Sequence, residues 1–294
     1  MQLKKKQWWV PYAFLALPLI MYAIWVIIPV FRTFAFSFTD WDGVNPDYKF
    51  IGLQNFKDLI EDYVFFDALK NNFKWIIMFI ILPVPLGLGM AMLLDIKLPG
   101  HKIFKTLIFL PMTLSFVVIG QVWAWIYDPR FGALNTTLEA IGLGSLTQAW
   151  LSNPNIVTFS LIGAAVWRQI PYMMILFLAG LKNVNQSHVE AALVDGANSF
   201  QRFWYVILPA LRPSMIIAFT VSVIDSLRAF DIVYVMTGGG PFNSSTVLAN
   251  YMYIEAFNNY RMGFGSAIAV IQFLITFGFI VIYVNHNLKK EKEM

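Results

Sequence analysis

EAALVDGANSFQRFWYVILP occupies positions 190–209. It is about one bilayer span long, yet it carries Glu190, Asp195 and Arg202, with Gly196 near its middle. A spanning helix needs roughly 20 predominantly apolar residues, because the bilayer core offers no water to side chains or backbone. The stretch therefore reads as a polar interruption between spans. Its period resolves it into two short helices. Ser187 and Glu190 stand three apart, as in a capping box, which predicts a first helix from about His188 to Asp195. Gly196 suits the left-handed conformation that ends a helix, and Asn198 or Ser199 suits the cap of the next one. In that second helix Phe200, Phe203, Trp204 and Ile207 follow the i, i+3, i+4, i+7 rule and form one apolar stripe. A stripe of this kind fits a groove on a soluble partner. A helix lying on a membrane usually has a polar face rich in Lys and Arg, and this segment has Arg202 alone against Glu190 and Asp195.

Outward from this segment the chain is strongly apolar. Hydrophobic residues make up 58% and charged residues 13%, against roughly 25% charged in a soluble domain. Six long runs predict six transmembrane helices, at about 10–34, 73–95, 105–127, 156–181, 212–236 and 262–286, with residues 186–209 between spans four and five. The expected fold is an all-α polytopic membrane protein, one transmembrane domain over residues 1–294. The first run is longer than the roughly 7–15 apolar residues of a signal peptide, so it reads as an uncleaved helix.

Lys and Arg set the orientation. Lys4, Lys5, Lys6, Lys97, Lys102, Lys105, Lys182, Arg202, Arg212, Lys289, Lys290 and Lys292 flank one side of the spans. The other side holds Arg32, Lys49, Lys57, Lys70, Lys74, Arg130 and Arg261, together with most of the acids. Both termini and the 190–209 segment are thus expected in the cytoplasm. Trp8, Trp9, Trp41, Trp75, Trp123, Trp125, Tyr127 and Tyr283 fall near span ends, as an interfacial aromatic belt would. TGGGP (237–241) follows span five and reads either as a helix stop or as a flexible outer loop.

Away from the span ends, four charges lie within predicted spans four and five: Arg168, Asp225, Arg228 and Asp231. Ionisable groups at that depth are costly unless paired or facing water. Asp225, Arg228 and Asp231 are three apart and would share a helix face, so mutual neutralisation with Arg168 is one expectation. The other has Asp225 facing a water-filled path. Flat aromatics and hydrogen-bonding groups that could line such a path are Gln121, Trp125, Trp167, Tyr172, Ser222, Asp225, Phe230 and Gln272.

The stretch at 190–209 resembles the EAA motif, EAA-x3-G-x9-I-x-L-P, of permease subunits of binding-protein-dependent ABC importers. Glu190, Ala191, Ala192, Gly196, Leu208 and Pro209 match at the family spacing, with Val206 where isoleucine is usual. FSFTDWDG with FIGLQNF, KTLIFLPM, WAWIYDPRFGALN, and TGGGPFNSST with YMYIEAF resemble the carbohydrate branch, in the manner of the maltose-type first permease subunit. The resemblance implies a subunit of an ATP-driven di- or oligosaccharide importer in a bacterial or archaeal cytoplasmic membrane. It implies a second permease subunit, two ATP-binding subunits and an extracytoplasmic binding protein as partners. ATP and Mg would be used by those partners, with no cofactor on this chain. Glu190, Ala191, Ala192, Asp195, Gly196, Phe200, Phe203, Leu208 and Pro209 would then form the ATPase-coupling element, Glu190 acting either as a helix cap or as a contact. An importer of a phosphorylated polyol such as glycerol phosphate is the alternative.

The chain has no GxxxxGK[ST], HExxH or GxSxG pattern and no cysteine, and His101, His188 and His286 lack metal-site spacing. A membrane hydrolase does not fit. An ion-coupled secondary transporter competes on its buried charges, but would not need a cytoplasmic docking hairpin.

Overall fold

The structure, a computed structural model, describes residues 10–95 and 100–292. Lys4, Lys5, Lys6, Trp8, Trp9 and Lys97, used above for orientation and the aromatic belt, lie outside the described residues. In chain order the helices are α1 (Val10–Phe36), α2 (Gln54–Glu61), α3 (Tyr63–Asp95), α4 (Ile103–Thr113), α5 (Phe116–Ile126), α6 (Ala133–Ala140) and α7 (Val157–Leu181). Then follow α8 (Gln186–Val194), α9 (Ser199–Ala210), α10 (Arg212–Leu227), α11 (Asp231–Thr237), α12 (Leu248–Tyr253) and α13 (Met262–Lys292). Among the described residues the only β pairing is an isolated bridge between Thr39 and Phe50.

Among the described residues, four helices are long and apolar enough to cross a bilayer: α1, α3, α7 and the Met262–Tyr283 part of α13. Two bent pairs, α4 with α5 and α9 with α10, raise the number to six if each is one span. The all-α, multi-span architecture read from the sequence is the one adopted.

Three segments differ from a set of straight spans. The helix that contains 73–95 already begins at Tyr63. The 105–127 run is bent by 101° between α4 and α5. Pro111 tightens the end of α4 into a 3-10 turn, Leu114 is extended, and Ser115 restarts the helix by accepting the Val118 N–H at 3.3 Å. The 212–236 run stops at Leu227 and resumes at Asp231. Neither proline nor glycine lies at this second break, which sits among charged side chains instead.

The chain divides into two compact units, Met1–Asp62 with Met252–Phe273, and Tyr63–Tyr251 with Leu274–Met294. In the first, Asn55 is buried and its Nδ2 donates to Ser37 O at 3.0 Å and Thr39 O at 2.8 Å, which ties α2 to the end of α1. Asp42 accepts the backbone N–H groups of Val44 and Asn45, and these donors hold its carboxyl below the ordinary carboxylate range. Glu255, nearly buried, accepts from Arg261 at 3.0 Å and Asn259 at 2.9 Å and so fixes the turn before α13.

In the second unit α3 and α7 approach most closely at Gly87. A Cβ there would fall 2.9 Å from the Met174 amide nitrogen and 3.0 Å from the Met173 carbonyl carbon, so the contact is backbone against backbone. Around it Val84, Leu88, Ala91, Met173, Met174 and Phe177 form one core, and Trp75, Phe79, Leu161, Ile162 and Ile232 another. Gly87→Val is expected to destabilise the fold by about 3 kcal/mol, since overpacking against backbone cannot relax by a side-chain rotation. Thermal unfolding of the purified chain reads this directly.

The 237–246 loop is held rather than loose. Asn71 Nδ2 donates to Ser244 O and Thr246 O, each at 2.9 Å, and Thr158 Oγ1 to Ser244 O at 2.8 Å. Thr246 Oγ1 and Asn250 Nδ2 donate to Gly239 O and Gly238 O. The expectation of a flexible loop gives way to this network. At the other connector, Asp128 Oδ1 accepts the N–H groups of Phe131 and Arg130, which likewise holds its carboxyl low. The ionised form makes that turn, so it loosens only as pH falls through the lowered value.

Candidate functional site

The two helix breaks of the second unit meet at one cavity. Its volume is about 270 Å³, and Trp75, Phe79, Phe116, Ala165, Arg168, Asp225, Arg228, Ala229, Asp231 and Ile232 line it. Trp75 and Phe79, one turn apart on α3, present rings whose centroids are 5.3 Å apart. Arg168 projects from α7. Its Nε donates to Leu114 O at 2.9 Å, the carbonyl freed by the α4–α5 bend, and its guanidinium lies 4.1 Å over the Phe116 ring. Asp225, near the end of α10, accepts from Gln169 Nε2 at 2.8 Å. Arg228 caps α10 and Asp231 opens α11, so the break itself delivers both to the lining.

The pairing expected for the four charges is not what forms. No ion pair within 4.0 Å joins Arg168, Asp225, Arg228 and Asp231 among the described residues. The reason is the break: on a continuous helix Asp225, Arg228 and Asp231 would sit side by side, whereas here the chain turns at Arg228 before Asp231. Instead Arg168 takes a backbone carbonyl and Asp225 a side-chain amide, and all four charges line the cavity. Trp75 Nε1 in this lining is buried without a hydrogen-bond partner, and so is Ser222 Oγ, one turn before Asp225 and outside the lining. Buried donors of this kind normally find a partner.

The remaining path candidates are dispersed. Trp167 lines a separate apolar cavity of about 300 Å³ and meets Trp123 edge to face. Tyr172 packs on the α3–α7 core, Phe230 stacks on Tyr234 at 5.3 Å, and Gln121 and Trp125 are exposed on α5. Gln272 lies on α13 within the other compact unit. Sequence reasoning missed Gln169, which is buried beside Arg168. A polar residue inside an apolar run was the available signal. It also put Trp75 in the interfacial belt, whereas this ring is wholly buried.

The 190–209 segment is a hairpin of α8 and α9. Asn185, not Ser187, caps α8: its Oδ1 accepts both Ser187 N at 3.0 Å and Ser187 Oγ at 2.8 Å. With the serine hydroxyl engaged, Ser187 and Glu190 make no capping box. Glu190 sits mid-helix, exposed, without a hydrogen bond or ion pair among the described residues. The capping box belongs to α9, where Asn198 and Gln201 exchange bonds of 2.9 Å. Gly196 takes φ +79°, and Ala197 N to Ala192 O (2.9 Å) with Gly196 N to Leu193 O (3.1 Å) closes α8 in a Schellman motif. Phe203, Ile207 and Leu208 pack against the α3–α7 core, and fully buried Leu211 anchors the 71° bend into α10. Phe200, at 69% exposure, faces outward, and Ala191, Asp195 and Pro209 are exposed as well. The hairpin is thus fixed at its base and free at its tip.

Comparison with known proteins gives this geometry a family. Residues 83–292 match the model of the "binding-protein-dependent transport system inner membrane component". A probable ABC transporter permease protein of Pyrococcus horikoshii is 39% identical over 279 residues, covering 95% of this chain and 96% of that one. The trehalose/maltose transport system permease protein MalF of Thermococcus litoralis is 32% identical over 264 residues, covering 89% and 88%. Among solved structures, the crystal structure of a bacterial ABC transporter involved in the import of the acidic polysaccharide alginate has a chain that superposes with TM-score 0.84 over 97% of this chain and 96% of that one, at 21% identity. The helical hairpin, the broken apolar helices and these matches agree: the chain belongs to the family of binding-protein-dependent transport system inner membrane components, the permeases of ABC importers.

Proposed function

We propose that this chain is the permease subunit of an ATP-driven importer of a neutral sugar, as one transmembrane domain supplying half of the translocation path. The cavity of Trp75, Phe79, Phe116, Arg168, Asp225, Arg228 and Asp231 is the observation that carries the substrate reading. Aromatic faces suit the C–H face of a pyranose ring. A carboxylate and guanidinium groups suit its hydroxyls. A relative named for trehalose and maltose supports the same substrate class.

In this reading a second permease subunit completes the path, and two ATP-binding subunits hydrolyse ATP. An extracytoplasmic binding protein delivers the sugar, and both termini face the cytoplasm of a bacterial or archaeal cell. The 190–209 hairpin docks on an ATP-binding subunit through Glu190, Ala191, Ala192, Asp195, Gly196 and exposed Phe200, while Phe203, Leu208 and Pro209 carry the movement to α10. Its exposed tip and packed base support that assignment. A phosphorylated polyol is the second reading, favoured by the two arginines of the cavity and opposed by Asp225 and Asp231 beside them.

The test is ATP hydrolysis by the purified assembly, reconstituted with its binding protein and challenged with a panel of neutral sugars and glycerol phosphate. Stimulation by a neutral sugar is expected. Stimulation by the phosphorylated polyol alone would reverse the assignment. Since Asn185 caps α8, Glu190→Gln removes a charge and no cap, so it is expected to lower sugar-stimulated ATP hydrolysis by about ten- to a hundred-fold, roughly the 1.5–3 kcal/mol of a charged hydrogen bond, with helix content unchanged by circular dichroism.

A further inference from the structure

Two aromatic side chains of the second compact unit stand in the open on connector loops: Phe242 at 92% exposure and Phe131 at 86%. Neither lines the charged cavity, and neither belongs to the 190–209 hairpin. An exposed aromatic alone needs no explanation. The backbone beneath Phe242 does, because Phe242 holds φ +51° and Asn243 after it φ +60°. Left-handed backbone is unfavourable for any residue with a Cβ and rare for a bulky one. It persists only where the surroundings impose it, and it tends to mark a working part of a protein.

The surroundings here do impose it. Asn71 and Thr158 hold Ser244 O from outside the loop. Within the loop Thr246 N donates to Asn243 O at 3.1 Å, and Ser244 Oγ and Ser245 Oγ donate to Pro241 O and Gly240 O, each at 2.6 Å. The Phe242 ring supplies none of this support and projects from it.

Phe131 is presented in the same manner. Asp128 Oδ1 accepts its N–H at 2.8 Å, and Gly132 N donates to Asp128 O at 3.0 Å. Just before that turn, Tyr127 OH donates to Ser160 O at 3.1 Å. Thr158 and Ser160 both lie in the first turn of α7, so the two aromatic tips are fastened to one helix end. α7 has 25 residues, about 37 Å at 1.5 Å per residue, and the 190–209 hairpin follows its other end.

We propose that Phe242 and Phe131 are the anchors on which the extracytoplasmic binding protein docks. This rests on the importer reading above, in which that end of α7 faces outward. Interface energy concentrates in a few aromatic side chains, and an anchor carried on a rigid loop loses little freedom when it binds. Asp128 and Arg130 beside one tip, and Asn243 and Ser244 beside the other, keep both in water rather than among acyl chains. The same polar neighbours supply the hydrogen-bonding rim that surrounds an apolar anchor in a protein interface. The matching surface is a pair of apolar hollows, rimmed by polar groups, on the sugar-loaded binding protein.

The probe is the binding protein that stimulates ATP hydrolysis by the complete wild-type assembly, purified, loaded with sugar and titrated against variants of this chain. Phe242→Ala should raise the concentration that gives half-maximal stimulation by about ten-fold or more, the scale of an interface hot spot. Phe131→Ala should raise it as well, and the maximal rate at saturation should be unchanged in both. Phe242→Gly relaxes the left-handed backbone while removing the ring, and should lose as much as alanine. Phe242→Tyr should stay near wild type. The chain contains no cysteine, so Phe242→Cys puts its only thiol at the tip. That thiol should react with a water-soluble maleimide in the assembly alone and be protected by saturating binding protein. Half-maximal concentrations unchanged in both alanine variants, beside normal stimulation of wild type, overturn the anchors and leave the importer reading standing. A thiol already protected before the binding protein is added would assign the tip to the second permease subunit or the bilayer, and also overturns the proposal. A wild-type assembly that no binding protein stimulates removes the importer reading itself, and the anchors with it.

Discussion

Asp225→Ala is expected to reduce sugar uptake by about ten- to a hundred-fold at limiting substrate while the chain still folds and assembles. Asp225 is the one path residue read from sequence that lines the cavity, and one of its oxygens is taken by Gln169. The carboxylate is held in place from behind, leaving its other oxygen for a sugar hydroxyl. Losing one charged hydrogen bond at about 1.5–3 kcal/mol sets the size of the effect. Asp225→Asn keeps an acceptor and should fall between wild type and alanine. Gln169→Leu removes the support without touching the cavity lining, so it should raise the sugar concentration needed for half-maximal uptake more than it lowers the maximal rate. Uptake measured in vesicles across a sugar titration separates these. Wild-type uptake by Asp225→Ala would remove this cavity from the path.

Gly196→Val is the second large effect, and it should abolish coupling rather than binding. Gly196 holds φ +79°, and no atom lies within 4 Å of where its Cβ would be, so packing is not the obstacle. The obstacle is the backbone: a left-handed L-residue costs about 1–2 kcal/mol, and a β-branched one more. The Schellman bonds that set the angle between α8 and α9 would yield first, because the hairpin tip has no other support. Sugar-stimulated ATP hydrolysis should be lost while thermal unfolding of the spans shifts by only a few degrees. Gly196→Asn is the control, since asparagine tolerates the left-handed region, and it should retain coupling. Full coupling in the valine variant would mean that the inter-helix angle does not transmit the stroke.

What could be read before the fold was known follows from where the physics is local. The bilayer forbids charge over twenty residues, so the apolar runs announced themselves, and the 3.6 period with Gly196 made 190–209 a hairpin. Competition between neighbouring groups was harder. Asn185 takes the Ser187 hydroxyl and displaces the expected cap, a choice that depends on two side chains rather than a motif. The helix breaks were hidden for a different reason. Arg168 satisfies Leu114 O from 54 residues away, and no periodicity contains that bond. The charge cluster was misread because the helix carrying it was assumed continuous. Several motifs that mark the carbohydrate branch proved to be loop staples. Asn55 clasps Ser37 and Thr39, and Asn135 bonds Pro129, Gln148 and Trp150. Their side chains bond mostly backbone groups, and Asn135 Oδ1 also accepts the Trp150 indole N–H, so their spacing signals a conformation and says little about a ligand.

The most direct measurement is uptake of a radiolabelled neutral disaccharide into vesicles bearing the complete assembly and its binding protein, with proton and sodium gradients collapsed and ATP supplied inside. Uptake that continues under these conditions and stops when ATP is withheld is the result this account predicts. Uptake that stops when the gradients collapse, with ATP still present, would contradict it.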